Sequence, residues 1–174
     1  MEVCEEFYNL IEKQMEKETI NTFNEGIIII VDTKEKAFNK NFRIVCISTH
    51  KKWNNLKNRR DNHLKNKAVS ILRTHIGRIS NQNESDIRKY LQRFEFILLQ
   101  TDYKARFNLK EKIIGTLVNC QESKASKNWL GNKSSTKQIK SSGLWLVQYI
   151  GTTERLTIDD LKFLIIKEVT NNRG

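Results

Sequence analysis

Three short apolar runs constrain the fold more than anything else in the chain: Gly26-Ile27-Ile28-Ile29-Ile30-Val31, Arg43-Ile44-Val45-Cys46-Ile47-Ser48-Thr49, and Phe94 to Gln100. Their β-branched and aromatic content and their shortness suit strands, and Asp32 with the charged stretch behind it closes the first run as a connector would. The first two runs have the length and separation of an antiparallel hairpin. The third completes a small sheet.

Helical spacing fills much of the remainder. Residues 3–18 set Val3, Phe7, Leu10, Ile11 and Met15 on one face, which predicts a helix that covers the sheet. Residues 53–79 read as two helical stretches broken near Asn66. Trp53, Leu56 and Leu64 share a face of the first, and Val69, Leu72, Ile76 and Ile79 form the stripe of the second. Asn108 opens a further helix with Ile113, Ile114, Leu117 and Val118 inward. Gln121 to Asn128 is polar and reads as a surface loop. After it come Trp129-Leu130-Gly131, a short basic helix over Ser135 to Lys140, Ser142-Gly143-Leu144-Trp145 leading into a β-type run to Ile150, and a last amphipathic helix over 157–169. The expected fold is therefore α+β: a small antiparallel sheet of about three strands flanked by helices, with a C-terminal α/β extension packed on the core. A chain of 174 residues suits one domain, 1–174, divided into a core over 22–120 and an extension over 121–174.

Lys and Arg number 31 against 20 acidic residues, a formal charge of +11, which concentrates polyanions at the surface and points to nucleic acid. The Lys-, Asn- and Ile-rich, Pro-free composition that an AT-rich genome imposes produces the same imbalance. Cys4, Cys46 and Cys120 are few, odd in number and at no metal-ligand spacing, which fits a reducing compartment. The chain opens on the acidic Met1-Glu2-Val3-Cys4-Glu5-Glu6, and its purest apolar run is too short to span a bilayer. The expected setting is intracellular and cytoplasmic, with no membrane partner. The oligomeric state is open, a homodimer included.

Several residues suit phosphate chemistry. Arg59 and His63 stand one helical turn apart on a shared face, with Arg60 nearer the Trp53 and Leu64 stripe. That pairing grips a phosphate, or else belongs to a solvated basic face. Glu111 sits beside the apolar stripe of its helix, where its carboxylate suits a divalent metal; with Asn108 as N-cap, the same residue closes a capping box. His50 follows the second strand and titrates near working pH. His75 reads as a core or boundary histidine, and Cys46 as a small buried strand residue. Arg73 and Arg78 lie where they can meet the backbone of a bound duplex. Lys133, Lys137 and Lys140 add charge beside the capping candidates Ser134, Ser135 and Thr136.

In this order the features resemble the GIY-YIG nuclease superfamily, in which two adjacent strands carry the name-giving motifs, a following helix offers an Arg and a later helix a metal-binding Glu. Gly26-Ile27-Ile28 stands where the first motif belongs and Cys46-Ile47-Ser48 where the second does, so both motif tyrosines are replaced. Thr49-His50 and the Trp129-to-Trp145 pattern look like one restriction-endonuclease-like subgroup, and the resemblance runs from about residue 22 to about residue 150. It implies a GIY-YIG-like fold and a metal-dependent endonuclease. In that enzyme Glu111 holds Mg2+ or Mn2+, Arg59 stabilises the phosphate, and His50 or His63 moves protons in place of the motif Tyr. DNA, ahead of RNA, is met by Arg60, Arg73, Lys133, Lys137 and Lys140. The Asn that the superfamily carries late in its site is matched most closely by Asn119 in helix placement; Leu146 stands where the subgroup has one. The alternative is a catalytically degenerate nucleic-acid-binding module on the same fold. A third reading, a basic face for an acidic protein, accommodates the charge but not the order of the motifs.

Overall fold

The computed structural model describes residues 2–16, 25–50, 71–81 and 83–171; for His50, Ile71 and residues 166–171 it describes the backbone alone. Strand β1 (Gly26–Asp32) lies between β2 (Arg43–His50) and β3 (Phe94–Gln100) in an antiparallel sheet of order β2-β1-β3. All seven residues of β1 are buried, as an unbroken Ile and Val run requires of a central strand covered on both faces. Gly26 begins it because a Cβ there would stand 2.1 Å from the Leu99 carbonyl oxygen. A bulge opposite Ile30 and Val31 leaves Val45 outside the register, and its carbonyl accepts the Trp145 amide at 2.7 Å. This bond ties the C-terminal part of the chain to β2.

The helices are α1 (Glu2–Met15), α2 (Ile71–Ile79), α3 (Glu84–Leu91), α4 (Ala105–Val118), α5 (Lys137–Ser142) and α6 (Ile158–Asn171). Helices α1 and α6 pack on each other and on β3, while α4 lies against β2 and β1. The apolar stripe of α1 turns Phe7, Tyr8, Leu10 and Ile11 into the core. Buried side chains from α1, the sheet, α4 and residues 129–146 form one hydrophobic cluster. Burying each such Ile, Leu or Phe contributes about 1.5–3 kcal/mol. The expected α+β architecture, three antiparallel strands flanked by helices, is what the chain adopts.

Local departures have identifiable causes. Helix α3 has no counterpart in the sequence reading because only Ile87 and Leu91 anchor it, too sparse a stripe to stand out; Asn83 starts it by accepting the Asp86 amide at 3.1 Å. Helix α4 begins at Ala105, ahead of Asn108, because the Asp102 carboxylate takes the Ala105 amide at 2.8 Å. The basic helix runs Lys137–Ser142, two residues beyond the expected start at Ser135. No strand forms after it: Leu144, Trp145 and Leu146 are buried as a wedge, and Tyr149 turns the chain at φ 59°. Trp129 and Trp145 are core residues in mutual ring contact at 4.9 Å. The 121–128 stretch is not wholly a surface loop, since Ser123 is buried against the Tyr8 hydroxyl at 2.8 Å. Trp53, Leu56, Leu64, Asn66 and Val69 lie outside the described residues.

Candidate active site around Glu111

The register of the sheet sets the first constraint. Ile28 pairs with Ser48 and Ile30 with Cys46, so Ile28 and Cys46, at the two motif-tyrosine positions, project from the same face. That face is closed. Ile28 is fully buried, and the Cys46 thiol donates to the Trp145 carbonyl at 3.4 Å. At one end of the sheet Gly26 pairs with both His50 and Gln100, and Glu25 beside it forms an ion pair at 3.5 Å with Arg106 in the first turn of α4. His50 and the start of α4 therefore meet at the same end of the sheet.

Glu111 occupies the second turn of α4, half-buried. Because the helix starts at Ala105, Glu111 cannot close a capping box with Asn108, and that reading is corrected. Its Oε1 accepts the Thr152 hydroxyl at 2.7 Å, and the Thr152 oxygen in turn accepts the Glu154 amide at 3.2 Å. The other carboxylate oxygen makes no hydrogen bond among the described residues. Gly115, one turn on, permits this approach: a Cβ there would lie 2.0 Å from the Glu154 carbonyl oxygen. Lys112 and Asp160 add an ion pair at 3.0 Å between α4 and α6. Burial by itself would raise the Asp160 carboxyl, but hydrogen bonds from Thr157 and Lys112 and the Lys112 charge bring it below its ordinary value. Among the described residues no three His, Cys, Asp or Glu side chains gather as a metal-ligand set.

The other candidates divide. Arg59, Arg60 and His63 lie outside the described residues, as does the side chain of His50. Arg73 is corrected: it is buried and ion-paired with Glu84, joining α2 to α3, and presents no charge to a duplex. His75 is buried, as expected, and its Nδ1 has no hydrogen-bond partner among the described residues; burial and then the Arg78 charge lower its pKa. Lys133, Lys137 and Lys140 are exposed and ion-pair with no acid among the described residues. The helix that carries Lys137 and Lys140 has no side-chain cap; Ser134 instead accepts the Thr136 amide at 3.1 Å. Asn119 caps the end of α4 and donates to the Gly115 carbonyl at 2.9 Å, while Leu146 is buried.

Sequence reasoning missed Thr152, which no local pattern marks because its partner is distant in the chain. It missed the buried ion pair Arg43–Glu35 and the half-buried pair Arg93–Asp32 as well. Burial raises the Asp32 carboxyl, with Arg93 and the Lys34 amide opposing it. Cys4 and Cys120, far apart in sequence, interact as buried free thiols, and burial followed by Cys120 pushes the Cys4 thiol up.

A model of the GIY-YIG domain matches residues 78–169, a little over half of the chain. The match opens at the end of α2, runs through β3 and α4 and ends in α6, beyond the two motif strands. Joined to the β2-β1-β3 sheet and its flanking helices, the match identifies the chain as a member of the GIY-YIG nuclease superfamily. Comparison with curated proteins and with solved structures gave no match. Among the described residues no helix is long and apolar enough to cross a membrane.

Proposed function

We propose that the chain is a divalent-metal-dependent endonuclease that hydrolyses phosphodiester bonds, of DNA ahead of RNA, acting as a single domain over residues 1–174. Family membership implies a nucleic-acid substrate. The observation that carries the catalytic reading is Glu111 itself: a half-buried carboxylate inside a helix, free of any capping task, with one oxygen oriented by Thr152 and the other uncommitted. Such a hard oxygen donor fits Mg2+ or Mn2+, which binds through one carboxylate together with substrate phosphate and water. The ion when bound supplies Lewis-acid polarisation of the phosphate. Around it, Thr152 holds the carboxylate, Arg59 offers a guanidinium to the developing phosphate charge, and His50 or His63 exchanges protons with water and leaving oxygen.

One observation favours the degenerate binding module. Ile28 and Cys46, at the two motif-tyrosine positions, carry no hydroxyl, and both are buried, the Cys46 thiol against the Trp145 carbonyl. The two readings separate in one experiment. Labelled duplex DNA, single-stranded DNA and RNA are incubated with wild type, Glu111→Gln, Arg59→Ala and Arg60→Ala in Mg2+, in Mn2+ and in chelator. The nuclease reading expects ion-dependent cutting that Glu111→Gln abolishes and Arg59→Ala reduces far more than Arg60→Ala. Binding without cutting in either ion leaves the degenerate module.

A further inference from the structure

The strongest unassigned surface adjoins Glu111. Tyr103 is 62% exposed and Phe107 45% exposed, the two largest apolar exposures on α4 and the turn leading into it. Their rings meet edge to face with centroids 6.2 Å apart. Neither ring is loose: the buried Arg106 guanidinium lies over one face of each, 4.5 Å from the Tyr103 centroid and 4.9 Å from that of Phe107, and is itself held by Glu25. Phe107 precedes Glu111 by one helical turn, so ring and carboxylate share a stripe. Across that stripe Lys110 reaches the Gln148 side chain at 3.1 Å and lies 5.8 Å from the centroid of the exposed Tyr149. Tyr149 keeps a left-handed backbone, which a bulky residue rarely adopts, and its ring lies beside Lys110 of α4, which precedes Glu111 by one residue.

We propose that Tyr103, Phe107 and Tyr149 form a stacking platform for unpaired bases, so that nucleic acid is taken at Glu111 with a single-stranded segment. The proposal rests on the nuclease reading for what happens at Glu111, but not for binding. Flat π-faces backed by cations, on a chain of net charge +11, match a single strand, whose bases expose their faces and whose backbone seeks positive charge. A duplex hides those faces. Because Arg106 already fixes two of the rings, stacking on them sacrifices little side-chain freedom.

The test is binding in chelator, where no cutting occurs, with a short single-stranded oligonucleotide carrying 2-aminopurine and with the same strand in duplex. Wild type is expected to quench the single-stranded probe and to bind it more tightly than the duplex. Tyr103→Leu, Phe107→Leu and Tyr149→Leu are each expected to weaken single-strand binding roughly tenfold and to reduce the quench, leaving duplex affinity and melting temperature unchanged. Tyr103→Phe and Phe107→Tyr should retain both signals. Equal affinity for the two forms, or leucine variants that bind and quench like wild type, would overturn the platform and leave the patch to a protein partner. A platform that passes in chelator while no substrate is cut in Mg2+ or Mn2+ would retire the nuclease reading alone.

Discussion

The Thr152 hydroxyl donates to Glu111 Oε1 across 2.7 Å, orienting a carboxylate on α4 from the segment that precedes α6. Loss of a residue that orients a metal ligand typically costs about 10–100-fold in metal affinity or activity. Thr152→Val should therefore raise the Mg2+ concentration needed for half-maximal cleavage by roughly tenfold or more. An unchanged metal titration would remove Thr152 from the site.

Arg43 is fully buried, with its Nε 3.2 Å from Glu35, its Nη1 donating to the Gly143 carbonyl at 2.7 Å and its guanidinium over the Trp129 ring. Glu35 also accepts the amide and hydroxyl of Ser126 at 3.0 and 2.7 Å. Together they fasten the C-terminal part to the β1–β2 connector. Glu35→Ala leaves a cation buried without its counter-charge and should cost about 3–5 kcal/mol in urea unfolding. The double variant Arg43→Met with Glu35→Leu should cost less, since no charge is stranded. A double variant no more stable than Glu35→Ala would contradict this.

Restoring the second motif tyrosine should not speed cleavage. Cys46 is packed against the Trp145 backbone, so Cys46→Tyr overfills the core and should destabilise by roughly 1–3 kcal/mol without raising cleavage. A stable, faster variant would show that this face opens.

The exposed lysines should act through charge alone. Replacing Lys133, Lys137 and Lys140 by Ala should flatten the fall of log affinity with log salt by about 2 to 3 units on B-DNA, if each neutralises a phosphate. Metal-dependent cutting at low salt should persist. An unaltered slope would place the nucleic acid elsewhere.

His75 makes stability depend on pH. Burial and the Arg78 charge hold its pKa below the ordinary 6.5, so the unfolded chain binds its proton more readily than the fold does. Stability is present in full above pH 6.5 and is lost as pH falls through the lowered value. The urea midpoint should drop as pH falls below 6.5, and His75→Phe should flatten that drop. Identical pH profiles would exclude His75 as the cause.

The three strands were legible in the sequence because an Ile-rich run too short for a helix and flanked by charge has few other ways to bury itself. The stripes of α1, of α2 over its described part, and of α4 were legible for the same reason: spacing at 3.6 residues is a local property. Glu111 and the tryptophans of the C-terminal part could be singled out from residue type and order. Tertiary structure alone decided what those residues face. Arg73 looked like a surface cation until α3 brought Glu84 against it, and Glu111 could serve either a metal or a capping box until Asp102 started the helix about one turn earlier. The pairing of Glu111 with Thr152, the bond from the buried Arg43 to the Gly143 carbonyl, and the bond from the Cys46 thiol to the Trp145 carbonyl join residues distant in the chain. No periodicity records such contacts, because each depends on how whole elements pack rather than on the residues beside it.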